Sequence, residues 1–264
     1  ERGGEWIRFL ERREAAARAW TARLGLDREE EPDARPSVRL LHVDGTEERL
    51  LAALLFEAAG TGEEEALAAV SQLSASRRTE LLEDLVGARE NRRHRPGRGF
   101  ETLRYRFEIV SDYGAFRDLQ RHRMLTCQWQ QLTPHLGAGV PEEVDAAGCG
   151  DDYRRALEVS RAEYARLVDA GLERAAPYAL CLGYRIRYVL DLNAREAMQL
   201  IELRSGREGH PTYRAVAHEM HAQIAAVHPA VAGAMTHVDR DAEPRLERIL
   251  SEIRTESRRA ARIG

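Results

Sequence analysis

Two hydrophobic periods alternate along this chain, one near 3.6 residues and one of 2, separated by polar breaks rich in Gly and Pro. In residues 5–24, Trp6, Leu10, Ala17 and Trp20 keep helical spacing, and a charged stretch with two prolines (26–36) then reads as a linker. Residues 37–43 predict a short strand closed by the turn signal Asp44-Gly45, and Thr46 predicts the cap of a helix running to about Ala59. Two more helices are expected in 63–90, broken near Ser74–Ser76, followed by a basic loop with Gly and Pro (90–99). Residues 100–110 alternate apolar and polar, as a strand with one wet face does.

A helix over 113–123 is expected to end in Arg121-His122-Arg123, before a strand at 127–133 and a loop at 134–150. A helix over 151–170, a shorter one from about 172, a β-rich run at 184–192 and a helix at 193–204 follow. After a loop at 205–211 come helices at 212–227 and 243–254, the last with Leu246, Ile249, Leu250 and Ile253 in one stripe. No regular βαβ alternation appears, so the fold class is mixed α+β and helix-rich. The expected division is a helix and charged linker (1–36), one main domain (37–240) and a C-terminal amphipathic helix (241–264).

Composition narrows the function. The 264 residues are 43% hydrophobic and 32% charged, as in a globular chain. No apolar run approaches the 18 residues of a membrane span, and the first residues lack an apolar signal core, so a cytoplasmic protein is expected. The start at Glu1 suggests a piece of a longer protein. All 40 basic residues are arginine, interleaved with 44 acids, which argues against a nucleic-acid-binding stripe but allows a local anion pocket. Cys127, Cys149 and Cys181 are odd in number and form no CxxC, so neither a disulfide framework nor a thiolate zinc site is expected. His218 and His221 are three residues apart with Glu219 between, and the zincin spacing is four, so no metal centre is expected. Neither standard nucleotide loop occurs.

Two constellations carry chemistry. Arg121-His122-Arg123 suits a turn over a phosphate-bearing ligand, because a planar guanidinium binds phosphate through two donors. In 193–204, Asn193 and Arg204 interrupt the apolar face near its two ends, and an inward polar group needs a partner or a ligand. Arg195 and Gln199 form a second polar patch on another face.

Three blocks in order resemble the flavin-dependent thymidylate synthases: 93–109, a His-containing loop before Phe100-Glu101 and a strand; 116–123, ending in Arg-His-Arg; and 188–204, a strand, then Asn193-Ala194-Arg195, then a helix ending Leu203-Arg204. His210 sits like that family's His after the helix. The resemblance implies a central antiparallel-type sheet and a homo-oligomer, dimer or tetramer, with sites between subunits. It implies FAD as cofactor, NADPH and methylenetetrahydrofolate as cosubstrates, and reductive methylation of dUMP to dTMP. Arg121, His122 and Arg123 would contact FAD, with Arg121 also near the nucleotide. Asn193, Arg195 and Gln199 would contact the flavin or its adenine end, and Arg204 would favour ionisation of the uracil ring.

Departures concentrate on the nucleotide side. Gln131 replaces the signature Ser, Thr133 an Arg, Trp129 a Glu and Asp118 a Gln. Pro177 stands where an ungapped count places a phosphate-holding arginine, and Arg174 fills that role if a short insertion follows it. Gln131 remains the substrate-side candidate. Two outcomes are therefore open: an enzyme with a divergent phosphate site, or a catalytically degenerate half that completes an interface with a competent copy.

Overall fold

A computed structural model describes residues 2–27 and 35–241, together with 252, 253 and 257. Strands β1 (Ser37–Asp44), β2 (Arg104–Asp112), β3 (Leu125–Trp129) and β4 (Arg185–Asn193) form one antiparallel sheet in the order β1-β2-β4-β3. Period-2 patterning sets its register. Tyr105 faces Leu192, Phe107 faces Leu190 and Ile109 faces Tyr188 across the two central strands, and all six are buried. The opposite face is ionic: Asp191 accepts from Arg104 at 2.7 Å and from Arg106 at 3.2 Å. Partial burial pushes the Asp191 carboxyl up, but the two guanidiniums outweigh it and hold the group below the usual carboxylate range.

Helix α1 (Arg2–Arg23) precedes the sheet, and α2 (Glu47–Phe56), α3 (Glu63–Ser71) and α4 (Ala75–Val86) lie between β1 and β2. Thr46 caps α2 as expected, its hydroxyl accepting from the Arg49 N–H. Gly45 before it has φ +96°, and a Cβ there would lie 2.8 Å from the Thr102 carbonyl. Helix α5 (Tyr113–Leu119) joins β2 to β3; α6 (Glu142–Ala146) and α7 (Gly150–Asp169) lie between β3 and β4. Helix α8 (Ala194–Arg204) grows directly out of β4, and α9 (Pro211–Val227) and α10 (Pro229–Gly233) follow. Met198, Leu200 and Ile201 of α8 and Val216, Met220 and Ile224 of α9 close one core with the sheet. The helix-rich α+β class with an antiparallel sheet is thus observed.

Several boundaries differ from the sequence expectation. Helix α5 stops at Leu119, so Arg121–Arg123 lie past its end. The strand expected at 127–133 begins and ends earlier, because the β4 ladder pairs Leu125 with Leu192 and Trp129 with Tyr188. The helix expected from about 172 is only a 3-10 turn at Ala176–Ala179, started by Pro177 and ended by extended Leu180. The 134–150 loop holds the short α6, followed by Gly148 at φ +74°. Most of 243–254, including Leu246, Ile249 and Leu250, and residues 28–34 of the linker lie outside the described residues. Among the described residues, no helix is long and apolar enough to cross a membrane.

One buried ion pair fastens the periphery to α8. Arg89 donates to both Glu202 oxygens at 2.6 Å, with the side chains 3% and 0% exposed. Arg89 also holds the His94 and Ala234 carbonyls, and the His237 N–H donates to Glu202. Removing one partner leaves an uncompensated buried charge. Glu202→Ala is therefore expected to cost about 3–5 kcal/mol in urea denaturation.

Histidines add a pH dependence. Burial pushes His221 and His228 below their ordinary 6.5. The stability of their neutral forms is full above pH 6.5 and lost as pH falls through the lower folded values. The urea midpoint is expected to drop between pH 7 and 5, and to drop less in His228→Gln, whose parent ring is hydrogen-bonded to the Tyr105 hydroxyl.

Candidate active site

The end of β4 aims α8 at the segment after α5. Asn193 is the N-cap of α8: its Oδ1 accepts the Glu196 N–H at 2.9 Å. The cap uses Oδ1 alone; Nδ2 makes no hydrogen bond among the described residues. Glu196 Oε1 accepts from His122 Nδ1 at 2.9 Å. On the other side of the ring, Arg204 Nε donates to His122 Nε2 at 3.2 Å. A guanidinium N–H can only donate, so Nε2 accepts and the ring proton sits on Nδ1. His122 is nearly enclosed, its side chain 6% exposed.

Arg204 uses its whole fork. Besides His122, it donates from Nη2 to the Asp118 carbonyl at 2.6 Å and lies 3.5 Å from Asp118 Oδ1. Its guanidinium also sits 5.4 Å from the Tyr213 ring centroid. Asp118 is shared, with Arg121 3.7 Å from the same oxygen. Arg121 and Arg123 are exposed, and Arg123 has no partner among the described residues. The triplet therefore splits by chemistry: a buried, oriented imidazole between two outward cations.

Arg195 and Gln199 part company. Arg195 turns to the 90–99 loop, donating to the Pro96 carbonyl at 3.0 Å and to Glu101 at 3.3 Å. Gln199 is half-buried and makes no hydrogen bond among the described residues.

Gln131 lies in a separate cleft of about 610 Å³ between α1 and the β3 edge. Pro177, Arg174, Arg117 and Trp129 line it too. Gln131 Nε2 reaches the Glu173 carbonyl at 3.4 Å, and the Thr133 hydroxyl is turned to the His135 N–H. Helix α5 serves both places: Arg117 faces the cleft, and the next residue, Asp118, holds Arg204. His210 caps α9 through Thr212, while His218 and His221 donate to the Asp239 and Ala232 carbonyls.

Sequence reasoning missed Glu196, Tyr213 and the hold of Asp118 on Arg204. Only Glu196 left a local signal, standing three residues past an Asn cap, as in a capping box.

Comparison with known proteins sets this geometry in a family. The family model described as thymidylate synthase complementing protein matches residues 42–230. The chain belongs to that family, the one its Arg-His-Arg and Asn-Ala-Arg blocks resemble. It is 38% identical over 181 residues to a UPF0159 protein of Chlamydia muridarum, covering 69% of this chain and 33% of that one. To a UPF0159 protein of Thermoplasma acidophilum it is 34% identical over 224 residues, covering 82% and 44%. The chain thus spans between a third and a half of the length of these relatives. Among solved structures, the UMP/dUMP methylase PolB from Streptomyces cacaoi bound with 5-Br dUMP shares the fold. Its TM-score is 0.63 at 19% identity, covering 80% of this chain and 99% of that one.

Asn193→Ala is expected to lower stability by about 1 kcal/mol and Asn193→Asp by much less, read by thermal or urea unfolding.

Proposed function

We propose that this chain is a thymidylate synthase-like flavoprotein that takes FAD and a pyrimidine nucleotide. Its family reaction is the reductive methylation of dUMP to dTMP with methylenetetrahydrofolate and NADPH. The observation that carries this reading is the Glu196–His122–Arg204 chain, which joins the Arg-His-Arg triplet to α8.

The residues present suit a flavin dinucleotide. Arg121 and Arg123 are exposed cations beside each other in sequence, matched to a diphosphate. Gln199 offers an amide donor and acceptor with no internal partner among the described residues, the kind of group a flavin ring edge engages. Asn193 and Arg195 support the site from behind, one capping α8 and the other bracing the 90–99 loop. When bound, the flavin supplies the hydride that reduces the transferred one-carbon unit.

Arg204 is the catalytic candidate. A fixed cation beside a uracil ring stabilises anionic charge as the ring ionises. His122 and the Asp118 carbonyl fix its fork, and swinging toward a substrate means giving up the 3.5 Å contact to Asp118 Oδ1. Gln131 is the substrate-side group in the cleft. The site is proposed to be completed by a second copy, as a dimer or tetramer.

One observation favours a second reading, a degenerate half that complements a competent copy. The Asp118 carboxylate lies on both Arg121 and Arg204, and Pro177 and Thr133 bring no charge. A lost charge-assisted bond weakens nucleotide binding by about 1.5–3 kcal/mol.

Titration with FAD, followed by visible absorbance, tests the flavin reading. Saturable binding is expected, with Arg121→Ala plus Arg123→Ala weakening it at least tenfold; absence of binding at millimolar FAD contradicts it. Tritium release from 5-labelled dUMP, with all cosubstrates, separates the two readings. Slow turnover is expected, rising in a Gln131→Ser, Thr133→Arg, Pro177→Arg variant. No release from either chain favours the degenerate half.

A further inference from the structure

The cleft that holds Gln131 has one wall outside the family match. That wall is α1, which supplies Glu14 and Arg18. Glu11, Glu14 and Arg18 fall on one helix face by their i, i+3 and i+4 spacing. Arg174 meets this face, 3.3 Å from Glu14 and 3.6 Å from Glu11. Arg18 bonds Glu14 at 2.7 Å and lies 3.7 Å from Glu173. A third guanidinium, Arg117, lines the same cleft and sits over the Tyr113 ring. The rest of the lining is mixed and includes two exposed rings, Trp129 and Tyr178.

Three guanidiniums beside flat, exposed rings suit a ring-bearing anion. The carboxylates of α1 already occupy two of those guanidiniums. These are exposed ion pairs, Arg174 being 69% exposed, so they hold α1 weakly. A dianionic phosphate makes stronger, bidentate bonds to the same fork.

The structure assigns α1 as a displaceable strap: Glu11 and Glu14 stand in for a nucleotide phosphate on Arg174, and the phosphate must evict them to bind. Arg174 is thereby the phosphate-holding cation, in place of the uncharged Pro177, and Arg18 is released to support it. This deepens the proposed function and rests on its nucleotide reading. It also gives that reading a physical reason for weak binding, since competition by α1 subtracts from the affinity of Arg174 for the ligand.

Calorimetric titration of the full chain with dUMP and with deoxyuridine tests it. The variants are Glu11→Gln with Glu14→Gln, Arg174→Ala, and a charge-matched control in exposed α3, Glu63→Gln with Glu64→Gln. The expected result is about tenfold tighter dUMP binding in the α1 variant, about tenfold weaker binding in Arg174→Ala and no change in the control. Deoxyuridine, which lacks the phosphate, should bind all four chains alike. Unchanged dUMP affinity in the α1 variant and in Arg174→Ala overturns the strap while leaving the nucleotide reading intact. So does an equal gain in the α3 control, which would mark a long-range charge effect. Failure of every chain to bind dUMP overturns the nucleotide reading and the strap together.

Discussion

A single imidazole, His122, ties together parts of the chain about 80 residues apart. Its Nδ1–H goes to Glu196, its Nε2 accepts from Arg204, and both partners stand on α8. Nothing in α8 alone would fix the turn after α5, and nothing in that turn would fix the Arg204 fork. The two are mutually determined, and burial raises the cost of losing either bond. Around this link the rest is support. The sheet delivers α8 from β4, Asn193 caps it, and the Arg89–Glu202 pair clamps its far side to the 87–99 loop.

Because α8 is held on several sides, the polar groups along it divide into committed and uncommitted ones. Asn193, Glu196, Glu202 and Arg204 are committed to internal partners, whereas Gln199 makes no hydrogen bond among the described residues. The exposed Arg123 on the neighbouring turn is likewise uncommitted. A ligand is drawn to what the fold leaves unsatisfied, so these groups define the proposed flavin side better than the buried ones do. On the proposed nucleotide side the position is reversed for Arg121, Arg174 and Arg204, which are already paired with carboxylates from Asp118, Glu11 and Glu14.

The sheet was legible in the sequence because period-2 alternation in 104–110 and 185–192 survives into the ladder unchanged. Helix α8 was legible as well, from its apolar face and the basic residue at its end. The Asn193 cap went unread: a polar residue at the edge of an apolar stripe suits a ligand as well as a helix N–H, and only Glu196 three residues on, as in a capping box, pointed to the second. The end of α5 was misplaced by four residues, since Gln120–Arg123 have no helix-breaking residue and only tertiary bonds to Glu196 and Arg204 stop the helix. The cleft was invisible from the sequence. Its wall comes from α1, and its pairing with Arg174 spans 160 residues with no local signature.

The most direct test of the central link is the tautomer of His122, read by long-range proton–nitrogen correlation in the labelled protein with and without FAD. The Glu196–His122–Arg204 chain requires protonated Nδ1 and bare Nε2 in the free protein, and a site built on it requires both nitrogens to shift when FAD is added. A ring protonated at Nε2, or signals indifferent to FAD, would contradict the account.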